Sequence, residues 1–309
     1  MCIAPFIMRC SVAVAVQEEP VGAMRKAGYV ETAFPLGCSP DNTGSMAESP
    51  DYDPSTYQRS ADVYDVMNAA RGKSYADETA TLLGLIRQHV ADAESLLDVA
   101  CGTGLHLSHL RHDLRVEGIE PHPRLRAIAR DRLDGVPVHD GDMRTFDLGR
   151  RFDVVTCLFS AIGYMLNLED LRTAIGQMAS HVSPGGLLVV EPWFHPEGWI
   201  DGLVMAESAT TEDLAIARLS HSRREGDISH FDFYWTVGRG PTLHGQSETG
   251  VATDPSGRRS VDHWIEPHRL ALWTDDQYRD AFAGAALDVE HDRDGLIGRG
   301  LYLGHKPRH

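Results

Sequence analysis

The sequence is poor in positive charge. Its 309 residues carry 29 Lys and Arg against 45 Asp and Glu, a formal net charge of −16. Binding a nucleic-acid backbone or an anionic membrane needs surplus Lys and Arg, so neither is expected as a partner. One anionic small ligand is not excluded, because a few placed arginines can hold a diphosphate inside an acidic protein. Cysteine is also scarce. Cys2, Cys10, Cys38, Cys101 and Cys157 are odd in number, and their spacing fits neither a disulfide framework nor a zinc site. Cys101 and Cys157 lie in apolar runs and read as small buried hydrophobes; a reducing cytoplasm is the expected location. No apolar run is long enough to cross a bilayer. Residues 3–16 are mildly apolar, but Arg9 is their one positive charge and no clean cleavage site follows, so a signal peptide is not expected. The sixteen histidines form no His/Cys/Asp cluster with metal spacing, and no metal is expected.

Hydrophobic residues make up 42% of the chain and charged ones 24%, as in one large globular domain or one domain with an insertion. Residues 1–55 show scattered Pro and Gly and no sustained period. They are expected to be a disordered leader, with residues 1–45 an over-long start ahead of Met46. From Ser60 to Val90 the pattern is helical, with a break at Gly72. Strands are then expected at Ser95–Ala100, Arg115–Ile119, Val136–Val138, Asp153–Phe159 and Leu187–Glu191, and helices at Leu105–Arg111, Pro123–Arg132 and Leu168–Val182. Alternation of short apolar strands with helices predicts a parallel sheet covered on both faces. After Trp193 the texture changes. In Ser229–Val237 one alternate set is Ser, Phe, Phe, Trp and Val, a half-buried antiparallel strand. Residues 238–260 read as a long loop. Thr274 and Gln277 form a capping box before a helix ending near Ala285, and strands follow near Leu287–His291 and Leu301–His305. The expected division is a ligand-binding domain at 56–202, an antiparallel insertion at 203–273 capping the sheet, and a C-terminal return at 274–309.

The strongest local signal is Leu96-Leu97-Asp98-Val99-Ala100-Cys101-Gly102-Thr103-Gly104, a buried strand entering a glycine-rich turn and then a helix. A dinucleotide fingerprint needs a third glycine, and Leu107 stands in its place. A P-loop would end in Gly-Lys-Ser/Thr, which is missing. The loop therefore suits a nucleoside without a pyrophosphate; an ordinary tight turn is the alternative. Glu120 ends the second strand and can accept from both ribose hydroxyls, although alone it reads rather as a solvated strand-end acid. Asp142 and Met143 follow the third strand, placed for an adenine amine and ring, or as a turn cap. Phe159 to Tyr164 follow the fourth. Four signals at four successive strand ends lie where open α/β sheets bind ligands.

This order resembles class I S-adenosylmethionine (SAM) dependent methyltransferases. The implied fold is α/β, a Rossmann-like seven-stranded sheet with an antiparallel last strand. Several phrases narrow the resemblance: Tyr64-Asp65, Arg71-Gly72-Lys73-Ser74-Tyr75, Gly141-Asp142-Met143-Arg144, Val190-Glu191-Pro192-Trp193-Phe194, Arg218-Leu219-Ser220-His221-Ser222 with Arg224-Glu225-Gly226, and Gly298-Arg299-Gly300-Leu301. Together they are similar to the TDP-3-amino-deoxysugar N,N-dimethyltransferases of macrolide biosynthesis, which make the dimethylamino groups of desosamine and mycaminose. The family implies SAM as cofactor, a TDP-amino sugar as substrate, a homodimer and two successive methylations of a sugar amine. By matched position, Arg71, Tyr75, Asp98, Ala100, Gly102, Gly104, Glu120, Asp142, Met143 and Phe159 belong to the cofactor. Asn68, Trp193, Phe194, Arg218, Ser220, His221, Ser222, Arg224 and Arg299 belong to the nucleotide-sugar. Asn68 departs from the family, standing where an aromatic or His is expected; Tyr164 occupies a position that is His in some members and Tyr in others. Without the family, Arg218, His221 and Arg224 read as a solvated strand face, and Trp193 equally as stacking on a base or sugar or as packing against the inserted sheet.

The implied reaction is displacement of the sulfonium methyl by a neutral amine. The protein mainly aligns the reactants. Tyr164, Glu191 and His221 are the candidates to take the ammonium proton, and positioning rather than an obligatory base is expected. A methyltransferase acting on another small acceptor, such as an oxygen or glycine, keeps the cofactor motifs alone. A non-catalytic module would have lost the glycine loop or ribose acid, and an NAD enzyme would have kept the third glycine.

Overall fold

The computed structural model describes residues 56–240, 242 and 260–308. The expected leader and most of the expected 238–260 connection lie outside the described residues. Helices α1 (Ala61–Ala70) and α2 (Tyr75–His89) come first. They separate at Gly72, whose φ of +83° suits a residue without a Cβ. Five strands follow, β1 (Ser95–Val99), β2 (Arg115–Ile119), β3 (Val138–His139), β4 (Phe152–Cys157) and β5 (Val182–Val190). Helices α3 (Leu105–Leu110), α4 (Pro123–Arg132) and α5 (Leu168–Ser180) connect them. Then come β6 (Val204–Thr210), β7 (Leu214–Glu225), β8 (Ile228–Arg239) and β9 (Ser260–Ala271), and last α6 (Asp275–Gly284), β10 (Asp288–Asp292) and β11 (Leu301–His305).

The main sheet has seven strands in the order β10-β11-β5-β4-β1-β2-β3, and β11 runs antiparallel to both neighbours. From β1 the chain steps outward to β2 and β3, then returns to the other side of β1 as β4. The order therefore reverses between β1 and β4, and crossovers diverge there to leave a crevice beyond the strand ends. One face of the sheet packs on α5 and α6, through Leu171, Ile175, Met178 and Phe282. The other packs on α2, α3 and α4, through Leu82, Ile86, Leu107 and Leu133. The second sheet, β6-β7-β8-β9, is antiparallel throughout. Its inner face buries Trp235, Val237, Ile216 and Ala209 against Val63 and Met67 of α1.

Two boundaries move for identifiable reasons. The fifth strand starts at Val182 rather than Leu187, and α5 stops at Ser180, because Phe152 pairs with Val182 across a register shift; that tertiary pairing overrides the turn signal of Ser183-Pro184-Gly185. The third strand shifts to Val138–His139 because the Val136 N–H is taken by the Leu133 carbonyl ending α4, at 2.7 Å. The capping box at Thr274 and Gln277 is present in both directions.

The turn after β1 is the sharpest feature. Ala100, Gly102 and Gly104 all have positive φ, 61°, 58° and 76°. A Cβ on Gly104 would stand 2.7 Å from Leu133 Cδ1 and 3.2 Å from Ala129 Cβ, so this glycine lets α3 start against α4. Replacing Gly104 with Ala combines that clash with a strained φ, and an expected loss of ~1–3 kcal/mol follows. Urea unfolding would read it as a lower midpoint at unchanged slope.

Candidate active site

Two buried acids sit at the ends of parallel strands. Glu120, one residue past β2, accepts the Gly102 N–H on Oε2 at 2.8 Å and the His122 N–H on Oε1 at 2.8 Å. Glu191, one past β5, accepts the Phe159 N–H on Oε2 at 2.7 Å. Its Oε1 is buried with no hydrogen-bond partner. Burial pushes Glu120 up to about 7 although both amides oppose it. Burial likewise raises Glu191, against the pull of Arg299, the Phe159 amide and Lys73.

The crevice between β1 and β4 opens into a cleft at the C-terminal ends of the strands, where open α/β sheets bind ligands. Six of the expected cofactor residues line it together: Ala100, Gly102, Glu120, Asp142, Met143 and Phe159. Tyr164 lines it as well, with Tyr57 and Tyr64. Burial alone would raise Asp142, but Arg144 donates to both its oxygens and holds it below the ordinary carboxylate range. Arg144 is itself tied to Asp170 at 3.0 Å. Of the five non-glycine residues with positive φ among the described residues, Tyr57, Ala100 and Phe159 line the cleft and Ser160 adjoins it. Such backbone costs ~1–3 kcal/mol per residue and concentrates at functional sites.

Four expected cofactor residues lie off the cleft. Asp98 is buried inside β1, bonded by Thr156 Oγ1 at 2.8 Å, and burial raises it to about 7. Gly104 serves the α3–α4 contact described above. Arg71 pairs with Glu207 of β6 at 2.7 Å. Tyr75 packs edge-on to His106, centroids 4.8 Å apart. The cation of this segment that packs on a cleft residue is instead Lys73, whose Nζ lies 3.9 Å from the Phe159 centroid and 2.5 Å from Glu78; burial lowers its pKa. Lys73 lies two residues from Arg71, and charge alone does not separate the two in the sequence. Asp65 was likewise visible and unassigned. It accepts from the Thr103 hydroxyl at 2.8 Å and pairs with Arg132 at 2.7 Å, tying α1 to the glycine turn.

The expected substrate residues divide. Arg299 donates to Ser160 Oγ at 2.5 Å, and its guanidinium lies 5.0 Å from Trp193, 5.4 Å from Phe194 and 5.7 Å from Phe159. Trp193 stacks on Phe231 and donates to Ser229 Oγ at 2.9 Å. Arg218, Ser220 and Ser222 are buried on one face of β7. Arg218 binds Glu207 and lies 4.1 Å from the Phe233 centroid. Glu207 thus stands between two guanidiniums, Arg71 and Arg218. Ser222 instead holds the preceding turn, donating to the Ile200 carbonyl and accepting the Leu203 N–H. Asn68 is buried beside the phenols of Tyr64 and Tyr75.

Two expectations need correction. His221 falls at an odd position between Ser220 and Ser222, and the pleat turns it to the exposed outer face. Its imidazole, expected as proton acceptor and substrate contact, is not among the residues that line the cleft. Arg224 is exposed at the end of β7 and bonds the Gly226 and Pro196 carbonyls at 2.7 and 3.2 Å, so it braces a turn. Sequence reading missed Tyr57, Glu266 and His268. Tyr57 falls between the unpatterned residues 1–55 and the helical pattern that starts at Ser60, and the last two face inward on β9, for which no separate strand is expected. Among the described residues one trio, His89, Glu290 and His305, brings its ligating atoms within 4.8 Å of one another. No helix among them is long and apolar enough to cross a membrane.

The cleft suits a nucleoside joined to a cation. It offers a buried acid for a diol, the thioether of Met143 for a flat ring, and an aromatic face on Phe159 that already accepts a cation. Hydroxyl donors favour the ionised form of Glu120, so binding lowers its pKa. Affinity for S-adenosylhomocysteine should therefore rise with pH by up to ~10-fold per unit below about pH 7, and Glu120→Gln should flatten that slope in calorimetric titrations. The sign is opposite for the free protein. Its folded carboxyls at Glu120 and Asp98 are raised to about 7, so their contribution to stability falls as pH climbs through that value.

Comparison with known proteins agrees with this geometry. A family model described as a methyltransferase domain matches residues 96–186. The dTDP-3-amino-3,6-dideoxy-alpha-D-glucopyranose N,N-dimethyltransferase of Streptomyces fradiae is 42% identical over 79% of this chain and 89% of its own. The dTDP-4-amino-2,3,4,6-tetradeoxy-D-glucose N,N-dimethyltransferase of Saccharopolyspora spinosa is 40% identical over 79% and 91%. Among solved structures, SAM-bound CalS10 is an amino pentose methyltransferase of Micromonospora echinaspora involved in calicheamicin biosynthesis. It superposes with a TM-score of 0.68 at 38% identity, covering 79% of this chain and 96% of its own. S-adenosylmethionine is the cofactor. The chain belongs to the family of SAM-dependent dTDP-amino-deoxysugar N,N-dimethyltransferases.

Proposed function

We propose that this enzyme adds two methyl groups to the 3-amino group of a TDP-linked amino-deoxysugar in the biosynthesis of a natural product of the macrolide type. The observation that carries the reading is the place of Arg299. One guanidinium joins Phe159 of the cofactor cleft to Trp193 and Phe194 beside the inserted sheet. A fixed cation there suits a diphosphate whose sugar reaches toward the cleft. Arg71 and Arg218 share the single carboxylate of Glu207, leaving surplus positive charge on the same side.

SAM supplies a methyl already activated on a sulfonium, which the amine lone pair displaces. The protein's part is alignment, which can supply ~7–11 kcal/mol of such a barrier. Glu120 holds the ribose, Asp142 and Met143 the adenine, and Tyr164 the sugar amine. The β6–β9 sheet acts as the substrate cap.

Its outer face supports a homodimer. Ala206, Leu219, Tyr234 and Ile265 form one row across all four strands, and the last three are 51%, 43% and 60% exposed. A contiguous apolar patch is unusual on a monomer. Free, buried Cys101 and Cys157 fit a reducing cytoplasm.

Mass spectrometry of TDP-3-amino-3,6-dideoxyglucose incubated with enzyme and SAM should show two successive methyl additions. A single addition would keep the substrate and demote the reaction to monomethylation. No addition, with SAM bound, would move the amine to C4 of the sugar or the acceptor to another molecule.

A further inference from the structure

A buried chain of hydrogen bonds runs behind Tyr164 and is not used by methyl displacement itself. Tyr164 Oη lies 2.8 Å from His268 Nδ1 and 2.8 Å from Tyr57 Oη. His268 Nε2 lies 3.0 Å from Glu266 Oε1. Glu266 and His268 are two apart on the inner face of β9, so the pleat sets them side by side, and each is only 3% exposed. The imidazole lies flat on Phe231, centroids 5.0 Å apart at 3°, with Phe233 edge-on at 4.9 Å. Its orientation is fixed by packing as well as by bonds.

The roles along this chain follow from what each group can donate. An ionised carboxylate only accepts, so His268 presents Nε2–H to Glu266 and keeps its lone pair on Nδ1. Nδ1 then accepts the Tyr164 O–H. Burial holds the Tyr57 phenol well above its ordinary pKa, so it remains a donor to the Tyr164 oxygen. The groups facing the imidazole are Glu266 on its own strand, Tyr164 from the 3-10 turn Ala161–Tyr164, Tyr57 from the segment ahead of α1, and the uncharged rings of β8. Arg218, beside Phe233, is itself paired with Glu207.

A sugar amine reaches the site as an ammonium at neutral pH, and the first methylation yields an ammonium again. Two rounds therefore require two proton losses. We propose that His268, held by Glu266, receives both protons through the Tyr164 hydroxyl. In each round a substrate N–H bond breaks and its proton passes to the Tyr164 oxygen. The hydroxyl's own proton passes to His268 Nδ1, and the electron pair stays on the amine nitrogen. Ammonium and neutral imidazole become amine and imidazolium, the new charge faces Glu266, and nothing is oxidised or reduced. The imidazolium returns its proton to water by the same route when products leave. His268 and Glu266 are thus positioning residues that act through Tyr164. The inference rests on the amine-methylating function proposed above.

The test is kcat and KM of the full chain with SAM and TDP-3-amino-3,6-dideoxyglucose across roughly pH 6.5 to 9.5. His268→Gln should lower kcat near neutrality by ~10- to 100-fold with KM little changed. The deficit should shrink toward none as pH passes the substrate's own pKa, because the amine then arrives neutral. Glu266→Gln keeps the volume and removes the charge; it should give a smaller deficit with the same recovery. It decides the matter if His268→Gln does not fold. A deficit constant across pH, or none, overturns the proposal, since a purely structural role would not be rescued by base. Wild-type enzyme that methylates no amino sugar overturns the substrate reading and the relay with it, and is distinguishable from a flat ratio.

Discussion

The site depends on one device used twice, a buried carboxylate at the end of a parallel strand that captures an amide from the loop after the neighbouring strand. Glu120 ends β2 and binds the Gly102 N–H of the loop after β1. Glu191 ends β5 and binds the Phe159 N–H of the loop after β4. β1 and β4 are the pair flanking the reversal of strand order, so the two acids fix the two lips of the crevice. Unpaired charge is costly to bury, which is why both carboxyls titrate high and why each is surrounded by donors or cations. The same expense makes them receptive. Glu120 lies at the cleft wall, and Glu191 retains a buried oxygen without a partner, near the Arg299 cation.

The backbone is arranged around those acids at further cost. Ala100, Phe159 and Ser160 sit at positive φ, and the two loops hold that conformation because their amides are captured. Ser160 then places its hydroxyl between the Pro192 carbonyl at 2.7 Å and Arg299. The loop after β4 consequently links the wall of the cleft, the Arg299 guanidinium and the start of the inserted sheet. Tyr164 ends the same loop and connects onward to His268 on β9. The cleft and the inner face of the inserted sheet thus meet through one short segment, Phe159 to Tyr164.

Much of this was legible in the chain because the relevant signals are local. The glycine turn, the strand-ending acid, the capping box at Thr274 and the alternation of Ser229–Val237 each depend on neighbours within a few residues. Strand β7 was not legible by alternation because its inner positions are Arg218, Ser220 and Ser222, polar residues facing a buried polar interior. That same run misled the reading of His221, since a phrase of consecutive residues cannot all face one way on a strand. The pairing of Arg71 with Glu207 and the relay through Glu266 and His268 join residues more than a hundred positions apart, and no period in the sequence encodes them. Lys73 lay within a recognised phrase, yet only packing on Phe159 distinguishes it from Arg71.

The proposed reaction needs one crevice to align a sugar amine, held at Tyr164, with a methyl donor held at Glu120. A crystal structure with S-adenosylhomocysteine and a TDP-amino sugar tests it most directly. Ribose hydroxyls are expected on Glu120, the diphosphate on Arg299, and the amine within hydrogen-bond reach of Tyr164, pointing at the sulfur across a gap that one methyl group would fill. A sugar bound with its amine away from Tyr164, or a nucleoside that leaves Glu120 uncontacted, would contradict it.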